Sequence, residues 1–234
     1  MRVFFCEKPS VAKEVASALG SGSRQDGFWT TSAGDIITFG VGHLIGLSNP
    51  EDHNPAWKTW SLDSLPMIPD DFKYSPYPKT LDQLKTAAKL FRDKKVTEIV
   101  NACDAGREGE LIFWLVYNYA GATAPVKRLW VSSLTRDALL TGIRSLKPAS
   151  AYQGLKEASF LRQTSDWLVG LNATRAMTLK VGQSGEVFSL GRVQTPTLKL
   201  IVDRDNTIDQ FVPVPFFVLV GSFSQLTPGG ESFD

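Results

Sequence analysis

Apolar residues along the first 147 positions follow two alternating spacings, and this pattern predicts strands that alternate with helices. Short apolar runs predict strands at residues 2–6, 28–31, 36–41, 96–102 and 127–131. Apolar residues spaced three or four positions apart predict helices at residues 9–19, 80–93, 107–120 and 136–146. Alternation of this kind is typical of an α/β fold with a mostly parallel sheet, in which ligands bind at the carboxyl ends of the strands.

The pattern changes at residues 146–150, where the strand-like runs stop. Beyond this point the spacing predicts a long helix over residues 151–181 and a second helix over 195–208. Thr195 and Pro196 suit the N-cap and the first position of the second helix. We therefore predict an α/β domain, a helical segment and the start of a β domain, at residues 1–147, 151–210 and 211–234.

Two segments fall outside the regular pattern. Residues 49–79 are rich in proline and aromatic residues, which predicts a long ordered loop. In this loop Trp57 and Trp60 could stack on nucleic-acid bases, although packing within the loop is the favoured interpretation. Residues 211–223 form an apolar run that predicts a strand, but little sequence follows with which it could pair. We therefore expect the sequence to be a fragment of a longer protein.

Acidic residues follow two of the predicted strands. Glu7 ends the first strand, and Asp104 follows the strand at 96–102. In a parallel sheet these positions converge, and Glu108 and Glu110 in the next helical turn could complete an oxygen-rich site. Mg²⁺ suits such a site, because it binds a few carboxylates, several waters and substrate phosphates. Alternatively, Glu108 and Glu110 could simply favour the positive end of a helix dipole.

Basic residues and glycines accompany these carboxylates. Lys8 and Arg107 can meet phosphate charge, and Gly106 and Gly109 allow close approach of the backbone.

Composition narrows the class of protein only a little. The chain has 234 residues, 43% of them hydrophobic, and a net charge of +1, which neither requires nor excludes nucleic acid. We interpret Cys6 and Cys103 as buried thiols in a reducing compartment. The sequence shows neither a secretory leader nor an apolar run long enough to cross a membrane. We therefore expect a cytoplasmic protein without a membrane partner.

The segment Glu7-Lys8-Pro9-Ser10, together with Asp104-Ala105-Gly106-Arg107-Glu108-Gly109-Glu110, resembles the Toprim domain. Toprim domains occur in type IA and type II topoisomerases, in bacterial primases and in some nucleases. The resemblance implies a Rossmann-like fold with a mostly parallel sheet.

A second set of motifs distinguishes among these families. The segment Ser189-Leu190-Gly191-Arg192-Val193-Gln194-Thr195-Pro196 resembles the S-x-G-R-V-Q-T-P motif of type IA topoisomerases. An upstream helix matches the family pattern R-x-x-x-D-x-x-x-G-x-N-x-x-R at Arg162, Asp166, Gly170, Asn172 and Arg175. Gly42-His43-Leu44 also fits. Bacterial topoisomerase III is the most similar subgroup, and the resemblance identifies the chain as an N-terminal portion: a Toprim domain and the start of the helical gate.

The resemblance implies an enzyme that cuts and rejoins one DNA strand through attack by a tyrosine, without ATP. Glu7, Asp104 and Glu108 would hold Mg²⁺. Glu7 would act as a ligand or as the proton donor to the leaving oxygen, and Lys8 would stabilise charge on the phosphate. Contacts to single-stranded DNA would come from Arg162, Arg175, Ser189, Leu190, Gly191, Arg192, Val193 and Gln194. Arg162 and Asp166 could instead form only a surface ion pair. We expect a monomer.

The sequence departs from the family pattern in two places. The usual metal motif is D-x-D-R-E-G-E, and Gly106 stands where its second Asp would be. The five tyrosines also lack the motif that surrounds the nucleophile of the family, so none is assigned to catalysis. We therefore expect the isolated chain to be inactive in strand passage. A self-contained Toprim nuclease and a non-catalytic DNA-binding module are the alternatives.

Overall fold

A computed structural model of the chain describes residues 1–183 and 185–222, apart from the side chain of Ser21. The chain divides into two compact units, of which the first is Met1–Arg192 and the second begins at Val193. The first unit therefore extends beyond the predicted boundary at residue 147 and includes the long helix of the second part.

A seven-stranded sheet forms the centre of the first unit. The strands of this sheet are β1 (Arg2–Cys6), β2 (Ser21–Gln25), β3 (Phe28–Thr31), β4 (Ile36–Phe39), β7 (Glu98–Asn101), β8 (Val126–Arg128) and β9 (Lys147–Pro148). They run in the order β2-β3-β4-β1-β7-β8-β9, and β4, β1, β7 and β8 are parallel neighbours. A separate antiparallel pair is formed by β5 (Ile45–Leu47) and β6 (Tyr74–Pro76). The parallel centre confirms the predicted α/β class.

Helices cover both faces of the sheet. The helices of the first unit are α1 (Pro9–Ala18), α2 (Pro50–His53), α3 (Leu81–Phe91), α4 (Arg107–Ala120), α5 (Arg136–Arg144) and α6 (Gln153–Val181), and the second unit contains α7 (Gln194–Asp209). Residues alternate across β1, so Val3 and Phe5 pack in the cluster with α3 and α4, whereas Phe4 and Cys6 pack in the cluster with α1 and α5. The sheet is consequently buried on both sides, as its near-continuous apolar strands require.

The central parallel strands bring their carboxyl ends to one edge of the sheet. β1 pairs with β4 on one side and with β7 on the other, and Phe5 lies opposite both Thr38 and Asn101. The loops that follow β1, β4 and β7 therefore leave the sheet side by side. Gly40 N donates to Cys6 O at 2.8 Å and Ala102 N donates to Phe5 O at 2.8 Å, which fixes the start of two of these loops.

Some sequence predictions were wrong in detail. A strand was predicted at 211–223, but residues 211–222 form no strand, and residue 223 lies outside the described part. Helix α7 begins at Gln194 with Val193 as its N-cap, so Thr195 is not the cap. The loop at 49–79 contains α2 and β6, and the short strands β2, β5 and β9 were not predicted.

None of the helices in the described part of the chain has both the length and the apolar character needed to span a bilayer.

Candidate active site

Three strand-end loops meet at the carboxyl edge of the sheet. We call this cluster the acidic edge and define it as Glu7, Lys8, His43 and residues 104–108. Lys8 Nζ lies 3.1 Å from Glu7 Oε1 and 3.4 Å from Asp104 Oδ2, so one ammonium group joins the loops after β1 and β7. From the loop after β4, His43 Nε2 lies 3.2 Å from Glu108 Oε2. The structure therefore brings together residues that are about a hundred positions apart in the sequence.

A cavity of about 530 Å³ opens at the acidic edge. Its lining includes Glu7, residues 104–109 and Arg162, which reaches it from α6. Three carboxylate groups and two guanidinium groups thus face one space, and the part of α6 that the sequence assigned to DNA binding borders the predicted metal ligands. Such a mixture of charges can bind a phosphate together with a cation.

The ammonium group of Lys8 is held in its charged form. The pKa of Lys8 is raised above its usual value, first by the hydrogen bond to Glu7 and then by the negative charges of Glu7 and Asp104. A raised pKa means that Lys8 stays protonated to higher pH than a free lysine. It can therefore present a permanent positive charge to a phosphate oxygen.

The carboxylates of the acidic edge suit a divalent cation. Within the described residues, Glu7 Oε2 is buried and has no hydrogen-bond partner, although Glu7 Oε1 is paired with Lys8. A buried carboxylate oxygen without a partner is costly, and a cation would satisfy it. Across residues 1–183 and 185–222, no three His, Cys, Asp or Glu side chains are already arranged as a metal cluster. Mg²⁺ does not need one, because it retains waters and takes ligands from phosphate.

Glu110 does not belong to the cavity, contrary to the expectation that it could complete the site. Its side chain is 3% exposed, and its carboxylate lies 2.7 Å from Arg128 Nε. Trp114 Nε1 donates to Glu110 Oε2 at 2.9 Å, and Asn101 Nδ2 donates to Glu110 Oε1 at 3.2 Å. Glu110 is therefore fully engaged below the acidic edge, whereas Glu108, two residues earlier, is exposed.

The two glycines of this loop have different roles. A Cβ atom at Gly109 would collide with the backbone of Asp104, so only glycine allows α4 to start this close to the loop. Gly106 is extended, and a Cβ atom there would meet nothing within 4 Å. An aspartate, the usual residue of the family motif, would therefore have space for its Cβ atom at position 106.

A second cavity of the first unit is a groove lined by residues of α6 and by residues 189–190. This cavity of about 550 Å³ is lined by residues that include Ser48, Gln163, Asp166, Trp167, Ser189 and Leu190. Leu190 is held in place because its N–H donates to Thr174 Oγ1 at 2.9 Å and its carbonyl accepts from the same hydroxyl at 3.2 Å. The predicted DNA-binding residues Ser189 and Leu190 therefore line a groove that also contains Asp166.

Asp166 lies between two of the predicted DNA-binding arginines. Arg192 Nη1 is 2.8 Å from Asp166 Oδ1, and Arg162 Nε is 3.7 Å from Asp166 Oδ2. The surface pair between Arg162 and Asp166 thus exists, but it is part of a three-residue arrangement. Both guanidinium groups remain about half exposed, so each can also contact an anion.

Arg175 is the predicted DNA-binding residue whose position does not suit that role. It is 5% exposed, and its Nη1 donates to Trp57 O at 2.6 Å. The guanidinium lies 5.0 Å from the ring centre of Trp60, and burial lowers the pKa of Arg175. Arg175 therefore fixes the loop at 49–79 against α6, and Trp57 and Trp60 take part in this packing. The sequence motif alone could not separate a buried arginine from an exposed one.

The remaining predicted DNA-binding residues lie around the junction of the two units. Gly191 ends the first unit next to Arg192, and Val193 and Gln194 begin the second unit as the N-cap and the first residue of α7. Gly191 and Gln194 each have at least one interaction partner. Their proposed contacts with DNA stay predictions.

Residue Arg128 was not anticipated from the sequence, where it looked like an ordinary arginine at the end of a strand. It is 1% exposed and donates to several carbonyl groups beneath the acidic edge. Its burial gave no signal in the sequence, because most of the carbonyls that it contacts belong to β7 and to the loop after β7.

Two family models match this chain. Residues 2–134 match the Toprim domain, and residues 150–232 match a family described as DNA topoisomerase.

Curated relatives extend well beyond this chain. The chain is 42% identical over 217 residues to DNA topoisomerase 3 of Staphylococcus epidermidis (strain ATCC 12228 / FDA PCI 1200). It is 41% identical over 217 residues to DNA topoisomerase 3 of Staphylococcus aureus (strain USA300). Each match covers 93% of this chain and only 30% of the relative, so the chain spans less than a third of the length of these relatives.

A solved structure has the same fold. Full-length topoisomerase I from Thermotoga maritima superimposes with a TM-score of 0.63 and 21% sequence identity, over 90% of this chain and 31% of that chain.

Proposed function

We propose, from the premise that this chain belongs to the Toprim family, that it forms the N-terminal part of a type IA DNA topoisomerase. In this proposal the chain supplies the cation site and part of the grip on a single DNA strand, and the nucleophilic tyrosine comes from another part of the enzyme. None of the tyrosines is among the residues that line the cavity at the acidic edge. A bacterial chromosome lies in the cytoplasm, so the proposal also implies a cytoplasmic location.

One observation carries the proposal: Glu7, Asp104 and Glu108 line a cavity that Arg162 of the long helix also lines, and Lys8 contacts two of these carboxylates. Carboxylates suit a cation, and the neighbouring basic groups suit a phosphate. Convergence of both at the carboxyl edge of a parallel sheet supports phosphoryl chemistry on a nucleic acid.

The residues of the cavity would divide the work as follows. Lys8 keeps its proton and would donate a hydrogen bond to a phosphate oxygen as negative charge develops there. Glu7 is largely buried. It would either donate a proton to the leaving oxygen or act as a ligand of the cation. Arg162, which lines the same cavity from α6, would orient the phosphate.

Asp104, Glu108 and Glu7 would hold a divalent cation, and we propose Mg²⁺. When bound, it would neutralise phosphate charge that the carboxylates would otherwise repel. The exposed positions of Asp104 and Glu108 leave room for waters in its shell.

The groove along α6 would hold the single strand. Ser189 and Leu190 line it, and Arg192 lies beside it through Asp166. Its floor includes the aromatic Trp167, on which a base can pack. We propose a single strand because unpaired bases can enter a side-chain-lined groove of this kind. We further propose that the chain is a monomer.

The proposal can be tested with a fluorescent single-stranded oligonucleotide and with Mg²⁺. Replacing Arg192 by Ala should weaken oligonucleotide binding several-fold, because a phosphate contact is lost. It should also lower the salt dependence of log K by about 0.7 for each contact removed. Arg24→Ala is the matched control, since Arg24 is exposed on the edge strand β2.

Cation binding is measured separately by titration calorimetry. Asp104→Asn should weaken Mg²⁺ binding at least tenfold, because a ligand charge is lost while the shape is kept. Equal Mg²⁺ binding by the wild-type chain and this variant would contradict the cation site. Equal loss of oligonucleotide binding in Arg192→Ala and Arg24→Ala would contradict the proposal that the groove along α6 binds the single strand. Mg²⁺-dependent cutting of DNA by the chain alone would favour a self-contained nuclease instead.

A further inference from the structure

A buried arginine lies directly beneath the acidic edge. Arg128 ends β8 and has a relative exposure of 1%. Its Nη1 donates to the carbonyl oxygens of Asn101, Cys103 and Leu129 at 3.0, 2.7 and 2.9 Å. Its Nη2 donates to the carbonyl oxygen of Asp104 at 2.6 Å. One guanidinium therefore holds three carbonyls of the segment that leads from β7 to Asp104, as well as one of its own strand.

A second layer holds Arg128 itself. Its Nε lies 2.7 Å from Glu110 Oε1, although the N–H does not point at that oxygen and makes no hydrogen bond. Glu110 is fixed in turn by Trp114 and by Asn101, whose own Oδ1 accepts from Cys103 N at 3.1 Å. The charge of Arg128 is thus balanced inside the protein, and both oxygens of Glu110 have partners.

Asp104 itself has few other restraints. Its side chain is about half exposed, and its carboxylate contacts Lys8 at 3.4 Å. Its carbonyl accepts from Gly106 N at 2.9 Å in addition to Arg128. A loop with exposed side chains would ordinarily sample several arrangements. The start of the loop is held by Ala102 N, which donates to Phe5 O, and the bond from Arg128 holds the carbonyl of Asp104 itself to the buried part of the sheet.

We propose that Arg128 is a positioning residue: its guanidinium fixes the backbone of residues 101–104 so that the carboxylate of Asp104 faces Glu7 across the cation cavity. This inference rests on the proposed function for the role of the cation. Glu110 serves as the buried counter-charge of Arg128 and not as a cation ligand. Arg128 and Glu110 therefore affect cation binding only through the position of Asp104.

The geometry requires arginine and not merely a positive charge. The guanidinium is planar and holds its two terminal nitrogens in a fixed fork, so Nη1 reaches three carbonyl groups while Nη2 reaches the carbonyl of Asp104. A lysine has three donors on a single nitrogen at the end of a flexible chain. Arg128→Lys therefore keeps the charge and removes the fork, which separates positioning from simple electrostatics.

The test compares Arg128→Lys with Arg175→Lys in the full chain. Arg175 is also buried and also donates to a main-chain carbonyl, but it holds the loop at 49–79. Two readouts are used. The first is the binding of Mn²⁺, which is monitored by the decrease of the electron spin resonance signal of the free ion. The second is amide hydrogen exchange of the metal-free chain. Both are made well below the melting temperature of each variant.

We expect Arg128→Lys to weaken Mn²⁺ binding about tenfold and to speed hydrogen exchange in residues 103–109 about tenfold. Arg175→Lys should leave Mn²⁺ binding and the exchange of residues 103–109 unchanged. It should speed exchange only in the loop at 49–79. Glu110→Gln keeps the shape of the side chain and should produce a smaller change, about threefold, in the same direction. If Arg128→Lys does not fold, Glu110→Gln decides the question by the same two readouts.

Unchanged Mn²⁺ affinity and unchanged exchange at 103–109 in the folded variants would overturn the inference, even if their melting temperatures fell. Equal effects of Arg128→Lys and Arg175→Lys would also overturn it, because the change would then be global. Failure of the wild-type chain to bind Mn²⁺ would instead refute the proposed cation site. The exchange readout would still decide whether Arg128 fixes the loop.

Discussion

The acidic edge and the loop at 49–79 are both irregular segments held by a buried arginine, but the two arginines are satisfied to different degrees. Arg128 donates to four carbonyls and lies beside the counter-charge of Glu110. Arg175 donates to one carbonyl within the described residues, and burial lowers its pKa. The Nε atom is without a hydrogen-bond partner there in both arginines, so the difference lies in the terminal nitrogens and the counter-charge.

The difference follows from what else holds each segment. The loop at 49–79 has further contacts: Asn172 bonds both backbone groups of Met67, and His53, Phe72 and Trp167 pack together. The acidic edge has exposed charged side chains, such as those of Asp104 and Glu108, and these give it no apolar packing of that kind. It is therefore fixed from below, through its backbone. We infer that an exposed polar site requires a more complete buried network than a structural loop does.

The largest expected effect tests the close approach beneath the acidic edge. Gly109→Ala should destabilise the chain by about 3 kcal/mol and abolish tight Mg²⁺ binding, because the new Cβ atom would collide with the backbone of Asp104. Urea denaturation and titration calorimetry measure the two effects.

Gly106→Ala is the matched control, since the backbone there is extended and the space around it is open. We expect a change below about 0.5 kcal/mol. If Gly109→Ala behaves like Gly106→Ala in both measurements, α4 does not need to approach the loop as closely as the structure indicates.

An intermediate effect is expected at the loop at 49–79. Asn172→Ala should cost about 2 kcal/mol in the free energy of unfolding, because it leaves the N–H and C=O of buried Met67 without partners. Mg²⁺ affinity should not change, since the acidic edge is held by Arg128. Urea denaturation and calorimetry again provide the measurements.

The control on the same helix is Gln153→Ala, whose side chain makes an exposed pair with Glu157. It should change stability by less than about 0.5 kcal/mol. A parallel loss of Mg²⁺ binding in Asn172→Ala would show that the two segments are not held independently.

The smallest effect concerns the thiols below the acidic edge. Cys6 and Cys103 precede Glu7 and Asp104, and burial raises the pKa of both. A raised pKa keeps a thiol protonated, so labelling by a disulfide reagent at pH 8 should be at least about tenfold slower than in guanidinium chloride. The rate should increase as pH rises, because the reactive thiolate is the deprotonated form. Native labelling as fast as that of the unfolded chain would mean that this edge opens readily.

The sequence predicted the alternation of strands and helices, the α/β class and the grouping of Glu7, Asp104 and Glu108, because these depend on periodicity and on where strands end. Glu7 and Asp104 could be paired in advance since carboxyl ends of parallel strands share an edge. The strands β2, β5 and β9 could not, because β2 carries no apolar residue, β5 has glycine at its centre and β9 is only two residues long. The apolar run at 211–222 predicted a strand, yet a strand also needs a neighbour.

Tertiary structure alone decided which charged residues are exposed. Glu108 and Glu110 lie two positions apart in one motif, and Arg162 and Arg175 lie in another, so sequence spacing treats each pair alike. The fold turns Glu110 toward Arg128 and Arg175 toward Trp57, and leaves Glu108 and Arg162 at the cavity. Sequence determines which side chains a helix carries and at what spacing. Which of them meets solvent depends on distant segments packed against that helix, and that information resides in the assembled fold.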